Sequence, residues 1–245
     1  QGLIVMIGGT GAHGAASARR RVYLMRHGDV NYYDENGVRV AEPDKVPLTD
    51  LGHEQAAAMG EALREVHFDR AVCSGLLRTV QTAEGALGGR PDPKLEIIGG
   101  LREIRSGAAA LMNRSESLSE MVYAFERAHE PGMRFARGEA FDAFYERVTA
   151  TIHELLIEDD WRTMLIVAHG GVNRVVFSWL THAGLHGLAR FEQDTACLNI
   201  IDLDVADGRL ARYFLRMMNW RPDEPWRLDD RRTNQERYFA QRADA

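Results

Sequence analysis

An α/β fold, with helices lying on the faces of a sheet, is what this sequence predicts, and three observations lead there. Short apolar runs at residues 22–25, 71–73 and 164–168 have the length of buried strands. Longer segments between and after them carry apolar residues at helical spacing. Strands that alternate with helices along a chain build a sheet whose faces the helices cover. The composition is that of an ordinary globular protein, with 245 residues, 45% hydrophobic and 27% charged. That is chain enough for one large domain or a domain carrying an insertion.

The elements follow in order. The first apolar run ends in Arg26-His27-Gly28-Asp29. Thr49 precedes a helix predicted over 51–66, with Ala56, Met59, Leu63 and Val66 on one side. The strand at 71–73 leads into Ser74, expected to cap a helix running to Ala86. Gly99-Gly100 punctuates the chain ahead of Leu101, and residues 116–130 and 141–157 read as two further helices. The strand at 164–168 ends in His169-Gly170-Gly171, followed by a helix over about 172–180. Residues 198–205 and 209–215, joined by Asp207-Gly208, have the pattern of a β-hairpin. Residues 221–245, with Pro222, Pro225 and many charges, are expected to wrap the surface or to be mobile. The tryptophans Trp220 and Trp226 either dock on the core or face a second subunit.

Several function classes drop out. With 30 basic against 36 acidic residues the formal net charge is −6, which offers nucleic-acid phosphates no net attraction. Two cysteines make neither a disulfide framework nor a four-cysteine zinc site, and Cys73 is expected to be packed strand filling. The apolar run at 3–7 is far short of the roughly 18 residues that a membrane helix needs. The basic cluster Arg19-Arg20-Arg21 follows that run instead of preceding it, so despite the small-residue stretch at 15–18 the expected location is the cytoplasm. Residues 7–14 look like a dinucleotide-binding glycine loop, but about six residues before the next strand leave no space for a crossover helix. A glycine-rich extension over 1–20 is the reading kept. His182 with His186, and Glu126 with His129, sit at helical spacing but have no further ligands in view, and both are expected to be solvated faces.

The chemistry collects at strand ends. Arg26 and His27 close the first strand, Arg78 follows the second and His169 closes the third. Ligands of open α/β sheets bind outside the carboxyl ends of the strands, so these four side chains should converge on one pocket. Two guanidinium forks and two imidazoles in a small volume call for an oxyanion, most plausibly a phosphoryl group. Glu103 is the acid such a pocket needs for proton transfer, with Glu96 and Glu139 as alternatives.

The chain resembles the histidine phosphatase superfamily, in the branch that includes the cofactor-dependent phosphoglycerate mutases. The resemblance rests on Leu24-Met25-Arg26-His27-Gly28, on Pro47-Leu48-Thr49-Asp50-Leu51-Gly52 with Gln55-Ala56, and on residues 73–83 around Arg78. It continues in Leu101-Arg102-Glu103 with Gly107, in Gly138-Glu139, and in Ala168-His169-Gly170-Gly171. It implies a three-layer sandwich: a mostly parallel mixed sheet, helices on both faces and a helical cap insertion. The domain organisation expected is a phosphatase domain over 21–220, a cap at 108–137 and a C-terminal tail at 221–245.

The roles that follow from the chemistry agree with what the resemblance implies. His27 would be the nucleophile, forming a phosphohistidine. Arg26, Arg78 and His169 would bind the non-bridging oxygens, with Asn31 and the Gly170 N–H as further ligands. Glu103 would protonate the leaving alcohol and then accept a proton from the attacking water. Arginine supplies the positive charge, so no metal and no cofactor are expected. The partner is a small phosphorylated metabolite, with no nucleic acid and no membrane; a homodimer is the expected assembly if there is one. Departures from the mutase pattern fall in the substrate shell: Val30 and Tyr33 replace a Thr and an Asn, residues 34–45 form a charged loop, and Ala140 stands where Ser is common. They favour a metal-independent phosphatase over a mutase, with a non-catalytic phosphate-sensing or protein-binding module as the third reading. The inner surface of the cap, with Leu111, Met112, Met121, Phe125, Met133 and Phe135 beside Arg114, Arg127, Arg134 and Arg137, is expected either to pack as core or to select the leaving group.

Overall fold

Alternation along the central strands decides the layering. A computed structural model describes residues 19–35, 40, 42–107, 112, 114–224 and 231–241. The glycine-rich start, Asn113 and Trp226 lie outside these residues. Along β1 (Arg20–Arg26), Val22 and Leu24 join one core cluster while Tyr23 and Met25 join another. β4 (Thr163–Ala168) does the same, with Met164 and Ile166 on the first side and Leu165 and Val167 on the second. A strand buried on both faces reads as an unbroken apolar run, as both of these do.

The sheet has six strands in the order β3-β2-β4-β1-β5-β6. β2 (Arg70–Cys73), β3 (Leu95–Ile97), β4 and β1 run parallel, while β5 (Leu198–Ala206) and β6 (Arg209–Trp220) are antiparallel to their neighbours. α1 (Asp50–Ala62) and α2 (Leu77–Leu87) cover one face through Met59, Ala83 and Ala86. α4 (Phe141–Ile157) and α5 (Gly170–Leu180) cover the other through Phe144, Val148, Ile152, Val175 and Phe177. This is the three-layer α/β sandwich with a mixed sheet that the sequence predicts.

Several local expectations hold in detail. Thr49 caps α1, its hydroxyl accepting from Gly52 N at 3.1 Å, an arrangement worth about 1 kcal/mol. Asp207 and Gly208 both take positive φ, 51° and 68°, as a tight hairpin turn requires. Others are corrected. Ser74 does not cap α2: Gly75, at φ 82°, turns the chain, and the helix starts after Leu76 with no side-chain cap. The single helix expected over 116–130 is broken into α3 (Arg114–Ser117), a π-helical turn (Leu118–Val122) and a 3₁₀ turn (Ala124–Arg127). Met121, Ala124, Phe125 and Ala128 keep the i, i+3, i+4, i+7 spacing of one helical face, so the apolar pattern persists although the backbone between them changes its hydrogen-bond spacing. The hairpin extends to Trp220, which packs partly buried against the α1/α2 side. α6 (Gly184–Gly187) is a single turn, and in the tail residues 234–241 form α7 (Asn234–Gln241).

Candidate active site

Strand register builds the site. Arg26 is level with Ala168 and Cys73 with Val167, so the next residues, His27, His169 and Ser74, emerge side by side. The His27 and His169 rings stand edge to face, centroids 5.2 Å apart. Helices pin the turn that carries His27. Gly28 N donates to Thr82 Oγ1 at 3.0 Å and Asp29 N to Gln55 Oε1 at 2.9 Å. A Cβ at Gly28 would sit 2.7 Å from Gly52 O, and one at Gly52 would sit 2.3 Å from Asp29 O, so both positions require glycine. Thr49, Gly52, Gln55 and Thr82, which carried the resemblance, are thus the frame of the loop and not its chemistry.

The protonation states follow from partners. His27 Nδ1 faces the Gly28 carbonyl at 2.8 Å. A carbonyl only accepts, so Nδ1 carries the proton and Nε2 keeps its lone pair. Burial first, then the Arg78 and Arg26 charges, hold the His27 imidazole well below its ordinary range, so it is neutral near pH 7. His169 is fully buried and likewise depressed, by burial and then by Arg78, His27 and Arg26. Its Nε2 meets Ser74 Oγ at 2.8 Å, and Ser74 Oγ meets Thr79 Oγ1 at 3.0 Å. Thr79 already donates to Leu76 O, so the Ser74 proton goes to Thr79 and His169 donates from Nε2. His169 Nδ1, buried without a partner, is then the bare nitrogen.

These residues meet at a cavity of about 870 Å³, lined by Arg26, His27, Arg78, Glu103, Gly170 and Gly171 among others. His169 lies behind this lining. Glu103 is the acid that the structure brings in: its Oε2 accepts from Gly171 N and its Oε1 from Ile104 N, both at 3.0 Å. Of the alternatives, Glu139 is engaged by Arg147 and Arg105, and Glu96 pairs with Arg70 away from the cavity. Asn31 is not brought in. It is exposed, outside the described lining, and its side-chain carbonyl accepts from Tyr33 N at 3.0 Å.

The charges sort into two kinds. Arg102 faces Asp44, Arg105 and Arg147 share Glu139, Arg174 pairs with Glu192, Arg221 with Glu224, and Arg237 with Asp194. Lys45 pairs with Glu42. Arg26 and Arg78 alone among the described cations lining the cavity have no carboxylate partner among the described residues. They donate to neutral oxygens instead, Arg78 to Pro43 O and Arg26 to Gln193 O and Asn234 Oδ1. The Nε atoms of both are buried without a hydrogen-bond partner. Two uncompensated cations beside a neutral imidazole make a receptor for an anion.

The outer half of the cavity is lined in part by Met121, Phe125 and Phe135 of the 108–137 segment. Met112 and Met133 pack on the core, and Leu111 and the Arg114 side chain lie outside what is described. Arg127, Arg134 and Arg137 turn away, to Glu130, Gly138 O and Glu116 with Glu120. Ala140 opens α4 with no side-chain cap. Cys73 and Cys197 are buried and free, and burial pushes the Cys197 thiol up to about 12. His182 bonds Tyr213 while His186 stacks on His129, so the two do not share a ligand site. Sequence reasoning missed Gln193, Asn234 and Arg237. Each is brought in by long-range contacts that leave no periodic signature in the sequence.

Comparison with known proteins places this geometry. The profile of the Histidine phosphatase superfamily (branch 1) matches residues 22–216. An adenosylcobalamin/alpha-ribazole phosphatase of Salmonella typhimurium is 30% identical over 205 residues, covering 83% of this chain and 100% of the relative. A broad-specificity phosphatase of Saccharomyces cerevisiae is 28% identical over 170 residues, 66% of this chain and 70% of the relative. Among solved structures, the alpha-ribazole phosphatase of Shigella flexneri superposes with a TM-score of 0.64 at 28% identity, covering 81% of this chain and 96% of that one.

Proposed function

The chain belongs to the histidine phosphatase superfamily and is a phosphatase that works through a phosphohistidine, and we propose that His27 is the residue that carries the phosphoryl group. Its Nε2 lone pair attacks phosphorus in line with the ester oxygen. The P–N bond forms, the P–O bond breaks, and Glu103 gives the leaving oxygen a proton. Water then attacks the phosphohistidine and passes a proton to Glu103. The P–N pair returns to Nε2 and inorganic phosphate leaves. Arg26, Arg78 and the Gly170 N–H hold the equatorial oxygens, where charge spreads in a loose transition state. His169 joins them by taking a proton on Nδ1 when the dianion arrives, since two negative charges offset the repulsion of the arginines.

The observation that carries this reading is the pair of uncompensated guanidinium groups, Arg26 and Arg78, beside the buried neutral His27. The substrate class is a small phosphorylated metabolite. A cavity of about 870 Å³ leaves space for a leaving group well beyond the phosphoryl itself. The carboxylate partner of every other described cation in the lining supports a hydrolase over a mutase, which must also hold its substrate's carboxylate. Residues 21–220 form the catalytic unit, 108–137 a cap that selects the leaving group, and 221–245 a tail. The two free buried thiols suit a reducing cytoplasm.

The test is phosphate release from a broad phosphomonoester panel in EDTA, with His27→Ala alongside. Wild-type activity is expected to survive chelation and to fall by about 10³-fold or more in the variant. Activity retained by His27→Ala would overturn the assignment.

A further inference from the structure

Arg26 has a second anchor that reaches it from outside the matched family region. Both hydrogens of its Nη1 are engaged, by Gln193 O and by Asn234 Oδ1, each at 2.7 Å. A guanidinium has five N–H groups, so three remain, on Nε and Nη2. The Nε–H and one Nη2–H form one edge of the fork, the edge that takes two oxygens of a phosphoryl group side by side. The Gln193 anchor is rigid: the residue is 1% exposed, and its side chain is tied to Asn173 and Asn199. The Asn234 anchor opens α7, while the family match ends at residue 216.

α7 is seated so as to deliver that side chain. Asn234 N donates to Glu192 Oε1 at 2.8 Å, and Arg237 pairs with Asp194. Tyr123 Oη of the cap reaches Glu236 Oε1 at 3.4 Å. Thr233 and Glu236 bond reciprocally, Glu236 N to Thr233 Oγ1 at 3.2 Å and Thr233 N to Glu236 Oε2 at 2.7 Å. This capping box fixes the first helical turn. Glu192 also holds Arg174 at 2.7 Å, so the helix docks on a loop that is itself anchored in the core.

We propose that Asn234 is a positioning residue for the phosphatase reaction, pinning Arg26 so that its Nε/Nη2 edge is presented to the phosphoryl group. The proposal rests on the reading of Arg26 as a phosphoryl ligand. A neutral amide suits the task, because it orients the cation without cancelling its charge. A carboxylate at the same place would hold the guanidinium equally well but compete with the substrate for its charge. An alkyl group would leave Nη1 with one anchor and the fork free to swing.

The experiment measures hydrolysis of 4-nitrophenyl phosphate, and its competitive inhibition by inorganic phosphate, for wild type, Asn234→Ala and Asn234→Asp. Melting temperatures confirm that each variant is folded, and His27→Ala is assayed alongside. Asn234→Ala is expected to raise KM and the phosphate inhibition constant about tenfold, with kcat changed by less than about threefold. Asn234→Asp is expected to raise both further, by about 100-fold, at an unchanged melting temperature. A strap that merely braced the fold would move the melting temperature and would not separate the two variants. Phosphate binding unchanged in both variants, or tighter in Asn234→Ala, overturns the proposal. If His27→Ala is inactive when that happens, only the role of Asn234 falls; if His27→Ala stays active, the reading of the whole site falls with it.

Discussion

The inner and outer halves of the cavity are built on opposite electrostatic plans. In the inner half Arg26 and Arg78 rest against neutral oxygens, and the hydrogen bonds that hold the loop come from threonine, glutamine and backbone. In the outer half the arginines of the lining are paired, Arg105 and Arg147 with Glu139 and Arg102 with Asp44, and those of the 108–137 segment turn away to partners of their own, Arg127 to Glu130 and Arg137 to Glu116 and Glu120. The contrast separates the cations that are free to take an anion from those already compensated. A paired arginine is compensated and holds structure; an unpaired one facing a cavity is available to a ligand. The backbone follows the same division, with strand register fixing the inner half and broken helical turns forming the outer one.

The largest effect that can break this comparison is Arg78→Ala, expected to lower kcat/KM by about 10²–10³-fold, the scale of one lost transition-state donor. Arg127→Ala, an exposed member of the paired set, is expected to leave both the melting temperature and kcat/KM essentially unaltered. Equal losses in steady-state kinetics would erase the distinction. Gly171→Ala comes next. Its new Cβ would lie 2.4 Å from Glu103 Oε1, displacing the carboxylate, so kcat is expected to fall about 10–100-fold in a folded protein. The last effect is on stability. His27 and His169 are depressed by burial and by the arginines, so below about pH 6.5 the unfolded chain binds protons that the folded chain refuses. Stability therefore falls as the pH drops below about 6.5, by up to about 1.4 kcal/mol per unit for each histidine, until the depressed folded-state range is reached. Thermal melts at pH 7 and pH 5 read this directly, and a melting temperature that does not drop would contradict the buried neutral pair. Hydrolysis should nonetheless persist below pH 6.5, since the nucleophile stays unprotonated there.

The same division explains what was legible in the sequence. β1 and β4 announce themselves because a strand buried on both faces is continuously apolar. Arg26, His27, Arg78 and His169 stand at strand ends or the first turn beyond, where a local reading suffices. β3 went unread because it is three residues long with Ile97 67% exposed, so it lacks a hydrophobic pattern. Ser74 was misread because a serine three residues before a helix and a serine turned to a buried histidine look alike until Gly75 is seen to reverse the chain. The breaks between Ser117 and Arg127 were hidden because the apolar residues there keep a helical period across them. Asn234 carried no signal at all: one amide in a charged tail is indistinguishable from its exposed neighbours.

Asn234 lies 208 residues after Arg26 in the chain. The arginine stands at the end of the first strand, and the amide that takes the second hydrogen of its Nη1 comes after the last strand, β6. The second anchor of Arg26 is therefore in place only when α7 has docked beside the finished sheet, so the end of the described chain closes on its first strand.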